Sequence, residues 1–381
     1  MGFFDVGPVD FPVPTNKTYY LDTCVGVGNW TAEGFPAAGP VHVVGFEAVI
    51  SPDTIDHIHH LVLTGFASES CKYTESFELG LAFLDMFVWT KGSRMGEALP
   101  DEAGFRFSAD NPLNFKAFKL STHYDNPEGE AGLTDSTAVR FYYTENLREH
   151  DAGALVLGDP VLTLMDEPLV QGRSKYSFDC PSSCTEESFQ DDSVTIFAEL
   201  LHMHELGRRM EVQQFRGGEL VRAADVEYYD FNYQGAYPTR VVGATIEKGD
   251  SFEVECFYET PGALETSTVA STFGLGSENE MCIAYVFYYP AQPASDLGGY
   301  CGAGDFCGGS FVGSEPLTAD SDFGRAFGVD SDGVCEQSLS EAGEGEGESS
   351  PAASAWPRGL GAQTVGFTAA ASIALGAAMI G

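Results

Sequence analysis

Apolar residues recur at every second position along much of this chain. The stretches Phe115–His123 and Asp250–Tyr258 alternate in the way half-buried strands do. No long run of helical periodicity competes with them. Glycine (44) and proline (19) interrupt the pattern often enough to separate many short strands by turns. A hydrophobic share of 43% is enough to fill real cores, and 381 residues hold two domains of ordinary size plus a tail. The expected fold is therefore all-β and rich in sandwiches.

Six of the eight histidines fall in or beside three short motifs: IDHIHHLVLTGF, STHYDNP and ELLHMHELGRR. His59, His60, His123, His202 and His204 supply five imidazoles, and Met281 in SENEMCIAYVFYYP adds a thioether. That is one set of donors for two metal ions. A soft sulfur beside two imidazoles suits copper passing through Cu(I), whereas zinc seldom takes Met. Spacing sharpens the requirement. SVTIFAELLHMHELGRRM reads as either strand or helix, but only on a strand do His202 and His204 share a face, about 7 Å apart along the chain. His59 and His60 are neighbours, so both reach one ion only at a strand end or a bulge. His57 is a spare imidazole, read as a surface group or a support for the ligands, with replacement of one of the His59–His60 pair as the lesser alternative, and His42 and His150 stand apart. An isolated HxH or HH is more often surface or core than ligand, and the weight here comes from clustering.

Eight stretches, in order from about residue 10 to about residue 290, carry a resemblance: YYLDTCV, HHLVLTGF, STHYDNP, VRFYYT, LLHMHELGR, YYDFNYQ, KGDSFEVECFYET and ENEMCIAYVFYYP. The chain resembles the copper type II, ascorbate-dependent monooxygenases. HYDNP and the Tyr-Tyr-Pro ending at Pro290 favour the dopamine β-hydroxylase and monooxygenase-X branch. The resemblance implies two tandem antiparallel jelly-roll-like sandwiches, over 10–165 and 166–312, with one copper in each. His59, His60 and His123 would hold the first ion, which takes single electrons from ascorbate. His202, His204 and Met281 would hold the second, which binds dioxygen for hydroxylation of an activated C–H bond. The resemblance also pairs Cys24 with Cys71 and Cys256 with Cys282, and pairs Cys180 and Cys184 with two of Cys301, Cys307 and Cys335. Phe66 stands where the family has a further bridging cysteine. A zinc site on Cys180, Cys184, Cys301 and Cys307 is the competing reading of those cysteines.

Substrate class is less legible. The peptide-amidating relatives hold a carboxylate with an Arg and an Asn where this chain has Leu200 and Ile283, which argues against peptidyl-glycine. The amine-binding branch carries a Glu where Gly65 stands, which puts dopamine itself in doubt. The expected substrate is small, and aromatic, amine-like or apolar. Tyr285 is the candidate for lining its pocket, and a core aromatic is the equal alternative. Two other classes stand beside the hydroxylase: a secreted copper-binding protein without turnover, and a zinc hydrolase on a β-sandwich.

Nine cysteines and the glycosylation triplets at Asn16 and Asn29 point to an oxidising, secretory setting, with the protein extracellular or membrane-anchored. The start, MGFFDVGPVDF, has no basic and no apolar leader region, which implies a missing start or an excised domain. Residues 313–362 read as an acidic, disordered linker. Residues 363–381 form a hydrophobic tail that suits a membrane anchor or a GPI signal. A net charge of −38 excludes nucleic acid as a partner and is mildly favourable to cations. The implied partners are a small substrate, dioxygen, ascorbate and, through the tail, a membrane.

Overall fold

The computed structural model describes residues 1–317 except for 27, 30–34, 36–38, 73–82, 108–114, 160–161, 164–166, 232–236, 239–242, 261–270, 275–278, 293–299 and 303–305. The expected linker beyond 317, the hydrophobic tail, Cys335 and the boundary at 165/166 lie outside the described residues.

Strands dominate, as the alternation predicts. In the first half, a sheet built on Gly2–Val6, Ala138–Thr144, Val41–Val49 and Ala103–Phe107 accompanies a four-stranded sheet ordered Thr18–Gly26, Ala117–Asp125, Ile58–Phe66 and Phe83–Thr90. Rings from one sheet meet rings from the other: Phe46 stacks on Phe87 at 5.3 Å and Phe118 tilts against Phe141 at 5.0 Å. In the second half, a third sheet includes Ser193–His202, Ile283–Tyr289 and Gly153–Gly158. A fourth is ordered Glu219–Val226, Gly207–Arg216, Ser251–Glu259, Arg173–Cys180 and Ser310–Pro316. Gly153–Gly158 pairs with Ile283–Tyr289, so the passage out of the first two sheets falls ahead of Gly153. The last strand runs to Pro316, so it takes in the first four residues of the stretch expected to be disordered from 313.

The third sheet is buried on both faces, and its side chains divide by parity. Ile283, Tyr285 and Phe287 join the buried cluster that fills the first half, together with Ala198, Leu200 and Met281. Cys282, Ala284, Val286 and Tyr288 join the cluster shared with the fourth sheet. A strand buried on both sides reads as a continuous apolar run, and IAYVFYY is one.

The complete α-helix among the described residues, Ser182–Ser188, was not expected from the sequence. Seven residues are too few to hold a helix alone. Disulfides Cys180–Cys301 and Cys184–Cys307 pin it, and Thr185 Oγ1 donates to the Asp250 carbonyl at 2.7 Å. Those bridges account for the four cysteines of the alternative zinc reading. Cys24–Cys71 and Cys256–Cys282 also close, as the resemblance implies.

Candidate metal centre

His60 and His123 sit on adjacent antiparallel strands, directly opposite each other. The ladder slips between Ile58 and His60: Ile58 pairs with Tyr124 and His60 with His123, so His59 is the extra residue of a bulge. A bulge is the device that turns two sequence neighbours toward one point. The ligand-capable atoms of His59, His60 and His123 all lie within 4.8 Å of one another. His60 Nδ1 stands 3.2 Å from His59 Nδ1 and 3.4 Å from His123 Nδ1. Two nitrogens about 2.0–2.1 Å from a shared ion lie roughly this far apart. His59 Nε2 is buried with no hydrogen-bond partner among the described residues. This donor set fits a metal. His57 stays outside the cluster, with Nδ1 3.4 Å from the Asp125 carbonyl and Nε2 3.6 Å from Glu130.

Burial keeps these imidazoles neutral. Desolvation lowers the pKa of His59, and with the charge of His59 it takes His123 down to about 3. His60 is held well below its ordinary value by desolvation and then by His123, His59, His202 and His204. Neutral rings present free lone pairs at pH 7, which a metal requires.

The second group grows from the third sheet. His202 ends its strand and pairs with Ile283. His204 lies two residues past the end of that strand, and Met281 two residues ahead of Ile283 on the facing one. The carboxylate of Glu280 spans the gap, accepting from the amides of His204 (2.9 Å) and Leu206 (2.6 Å). Burial raises the Glu280 pKa to about 8 against the pull of these amides. The His202 and His204 rings lie 5.1 Å apart, nearly perpendicular. His204 Nδ1–H donates to the Asn279 carbonyl at 3.1 Å, which leaves Nε2 as the free donor. Desolvation, then His202, holds the His204 pKa well down. Met281 is 3% exposed, and its carbonyl accepts from Tyr258 Oη at 2.7 Å. Cys256–Cys282 ties the next residue to the fourth sheet.

Several residues that sequence reasoning did not single out shape the centre. Phe231 stacks on His59 at 4.4 Å and presents an edge to His204 at 5.7 Å, touching a ring from each group. Tyr20, opposite His123 on the neighbouring strand, stacks on it at 4.3 Å and 11°. Tyr229 Oη accepts the Met203 amide proton at 2.8 Å and bonds its carbonyl, fixing the turn between the paired histidines. Phe231 and Tyr229 fall in YYDFNYQ and Tyr20 in YYLDTCV, stretches visible in the sequence but without an evident chemical role. Of the two readings of Tyr285, its burial accords with the core aromatic. It is 1% exposed in the apolar core, since parity places it with Ile283 and Phe287. Leu200 and Ile283 are likewise core residues, at 1%. The Asn16 and Asn29 side chains are exposed.

A β-sheet scaffold carrying three converged imidazoles, with an HxH motif at the end of one strand and a methionine just ahead of its neighbour, defines a candidate copper protein. The family model described as "Copper type II ascorbate-dependent monooxygenase, C-terminal domain" matches residues 150–301. Beyond that match, the chain is similar to proteins of the dopamine β-hydroxylase and DBH-like branch. It is 29% identical over 303 residues to DBH-like monooxygenase protein 1 of Homo sapiens, covering 76% of this chain and 47% of that one. It is 28% identical over 262 residues to dopamine beta-hydroxylase of Canis lupus familiaris, covering 65% and 40%. MOXD1 homolog 1 of Drosophila melanogaster is 31% identical over 206 residues, covering 53% and 28%. The chain thus spans less than half the length of these relatives.

Proposed function

We propose that this chain is the hydroxylating core of an ascorbate-dependent copper monooxygenase. It uses two copper ions and puts one oxygen atom of dioxygen into a C–H bond of a small substrate. The observation that carries the reading is the meeting of the His59, His60 and His123 nitrogens at a bulge, 3.2–3.4 Å apart. His202, His204 and Met281 are the second set. Copper at these positions supplies one-electron transfer and the activation of dioxygen. The chain's own residues hold the donors. Glu280 clamps the HxH turn beside Met281, Asn279 fixes the His204 tautomer, and Tyr258 and Cys256–Cys282 anchor the methionine strand. No side-chain general base is invoked.

The two halves are taken as two jelly-roll-like domains, one copper in each. The substrate is an aromatic amine or a related small molecule rather than a peptidyl-glycine, since Leu200 and Ile283 offer no polar group to a carboxylate. A Glu in place of Gly65 is also disfavoured, because a Cβ there would lie 2.8 Å from the Phe115 ring. Four disulfides and exposed acceptors at Asn16 and Asn29 support a secreted glycoprotein. Attachment through the tail is retained only as part of this proposal: among the described residues no helix is long and apolar enough to cross a membrane. The experiment is copper analysis of the purified chain, then oxygen uptake with ascorbate and a panel of arylalkylamines, read by mass gain of one oxygen. Two coppers and a hydroxylated product are expected. Copper without uptake on any substrate leaves a copper-binding protein, and zinc in both sites rejects the reading.

A further inference from the structure

A cavity of about 630 Å3 opens against His59 and His123 of the first group. Lys17 and Thr18 form part of its lining, and both belong to the acceptor triplet Asn16-Lys17-Thr18. Asn16 itself is exposed, in the bend that leads into the strand Thr18–Gly26. That bend is held on both sides of Asn16. The buried Asn126 donates from Nδ2 to the Pro14 carbonyl at 3.3 Å and from its backbone amide to the Lys17 carbonyl at 2.7 Å. Its sequence neighbours, Asp125 and Pro127, line the same cavity. The strand then sets Thr18 opposite Asp125 and Tyr20 opposite His123, on which the Tyr20 ring stacks. Asn16 is thus fixed relative to the histidines, beside the lining rather than in it. Asn29, the other acceptor, has none of the described lining residues next to it in sequence.

We propose that an N-linked glycan on Asn16 screens the mouth of this cavity, keeping large molecules from the three-histidine centre while small ones pass. The inference rests on the copper and secreted-glycoprotein readings above. Transfer takes place on the extended chain as it enters the secretory lumen, before Thr18 is paired in a sheet. The Asn16 side-chain nitrogen displaces the pyrophosphate of a lipid-linked oligosaccharide: a C–N bond forms, a C–O bond breaks and one amide proton leaves. An N-linked glycan is bulky and hydrated. Rooted beside Lys17, it occupies the solvent in front of the opening without filling the cavity. The root is held because Asn126 grips the chain at both Pro14 and Lys17. A loose root would let the sugar swing clear of the opening and screen nothing. The need for a screen follows from the donors: copper(I) on imidazoles is open to capture by softer ligands such as thiolates.

The test uses the chain secreted from eukaryotic cells behind a supplied leader, unsubstituted and as Asn16→Gln and Asn29→Gln, with glycan occupancy read by peptide mass spectrometry. Copper is loaded, reduced without oxygen, and withdrawn with bathocuproine disulfonate, a bulky chelator, or cyanide, a small one. The phase belonging to the three-histidine ion is the one absent from His123→Ala and kept in Met281→Ala. In Asn16→Gln that phase should quicken about threefold or more with the bulky chelator and stay unchanged with cyanide. Asn29→Gln should match the unsubstituted protein with both reagents. Trimming the remaining glycan of Asn29→Gln to its first sugar should reproduce the Asn16→Gln result with the rim sequence intact. A secreted protein with no sugar on Asn16, or unchanged withdrawal once the sugar is gone, overturns the screen and leaves the copper reading standing. Equal acceleration with both reagents overturns it too, since that is a loosened centre rather than an opened mouth. A chain that takes up no copper overturns the parent reading and this one together.

Discussion

Consecutive residues on a strand point to opposite faces, so His59 and His60 cannot share an ion on a regular ladder. The slip between Ile58 and His60 removes that conflict, and it costs the strand one unpaired residue. Removing a donor tests the arrangement. His123→Ala should drop copper from two ions per chain to one at limiting free metal, measured by elemental analysis after dialysis. Met281→Ala should keep the three-histidine ion yet lose the copper–sulfur scattering of the reduced protein in X-ray absorption, with oxygen uptake falling at least about 100-fold. Supporting groups matter nearly as much as ligands, on the order of 10–100-fold in affinity or activity. Phe231, packed on a ring from each group, is the residue whose replacement by Ala should alter both copper signals at once in electron paramagnetic resonance.

At the level of elements, the second group is a question of register. His202 pairs with Ile283 at the end of the ladder, and His204 and Met281 each follow two residues beyond that last pair. Whatever lets those strands slide separates the donors. Cys256–Cys282 is positioned to prevent it, and its removal by paired Ser substitution should cost about 2–4 kcal/mol in denaturant unfolding. A second lock is Asp250. Burial opposes its charge, but Arg216, the Glu247 amide and Gln214 override that and depress its pKa below the ordinary 3.8. Arg216 Nη2 and Gln214 Nε2 reach it at 2.9 and 2.6 Å. A depressed acid stabilises the fold fully above its unfolded pKa and stops doing so as pH falls through its folded value. Asp250→Asn should therefore cost about 2–3 kcal/mol near neutrality. The gap to the unsubstituted protein should close only in the window below about pH 3.8, seen by urea titration at several pH values.

Across the molecule, the third sheet is the shared wall. Tyr285 and Phe287 belong to the same buried cluster as Phe46 and Phe118 of the first half. Cys282 and Val286, one residue along, belong to the second. A shared apolar wall couples the halves, and residues 1–316 fall in one compact unit. Calorimetry should show a single unfolding transition for both halves, and Phe287→Ala should lower it as a whole, by about 3–5 kcal/mol. Two separate transitions, with only one moved, would contradict the coupling.

Much of this was legible in residue order. Alternation announced strands, and HH, HxH and Met announced donors, because a metal needs particular atoms and those atoms belong to few side chains. The need for a bulge at the histidine pair followed from strand geometry alone, whereas the strand expected through HMH ends at His202 and leaves His204 beyond it. Other features depend on which strands become neighbours, and no local pattern encodes that. Phe231 meets His59 across 172 positions of chain only after folding. Tyr285 reads the same whether it faces a pocket or a core until the sheet behind it is known. The short helix at Ser182 exists because two distant cysteines hold it. Chemistry was written in residue identity, whereas access, burial and the company each donor keeps were decided by long-range packing.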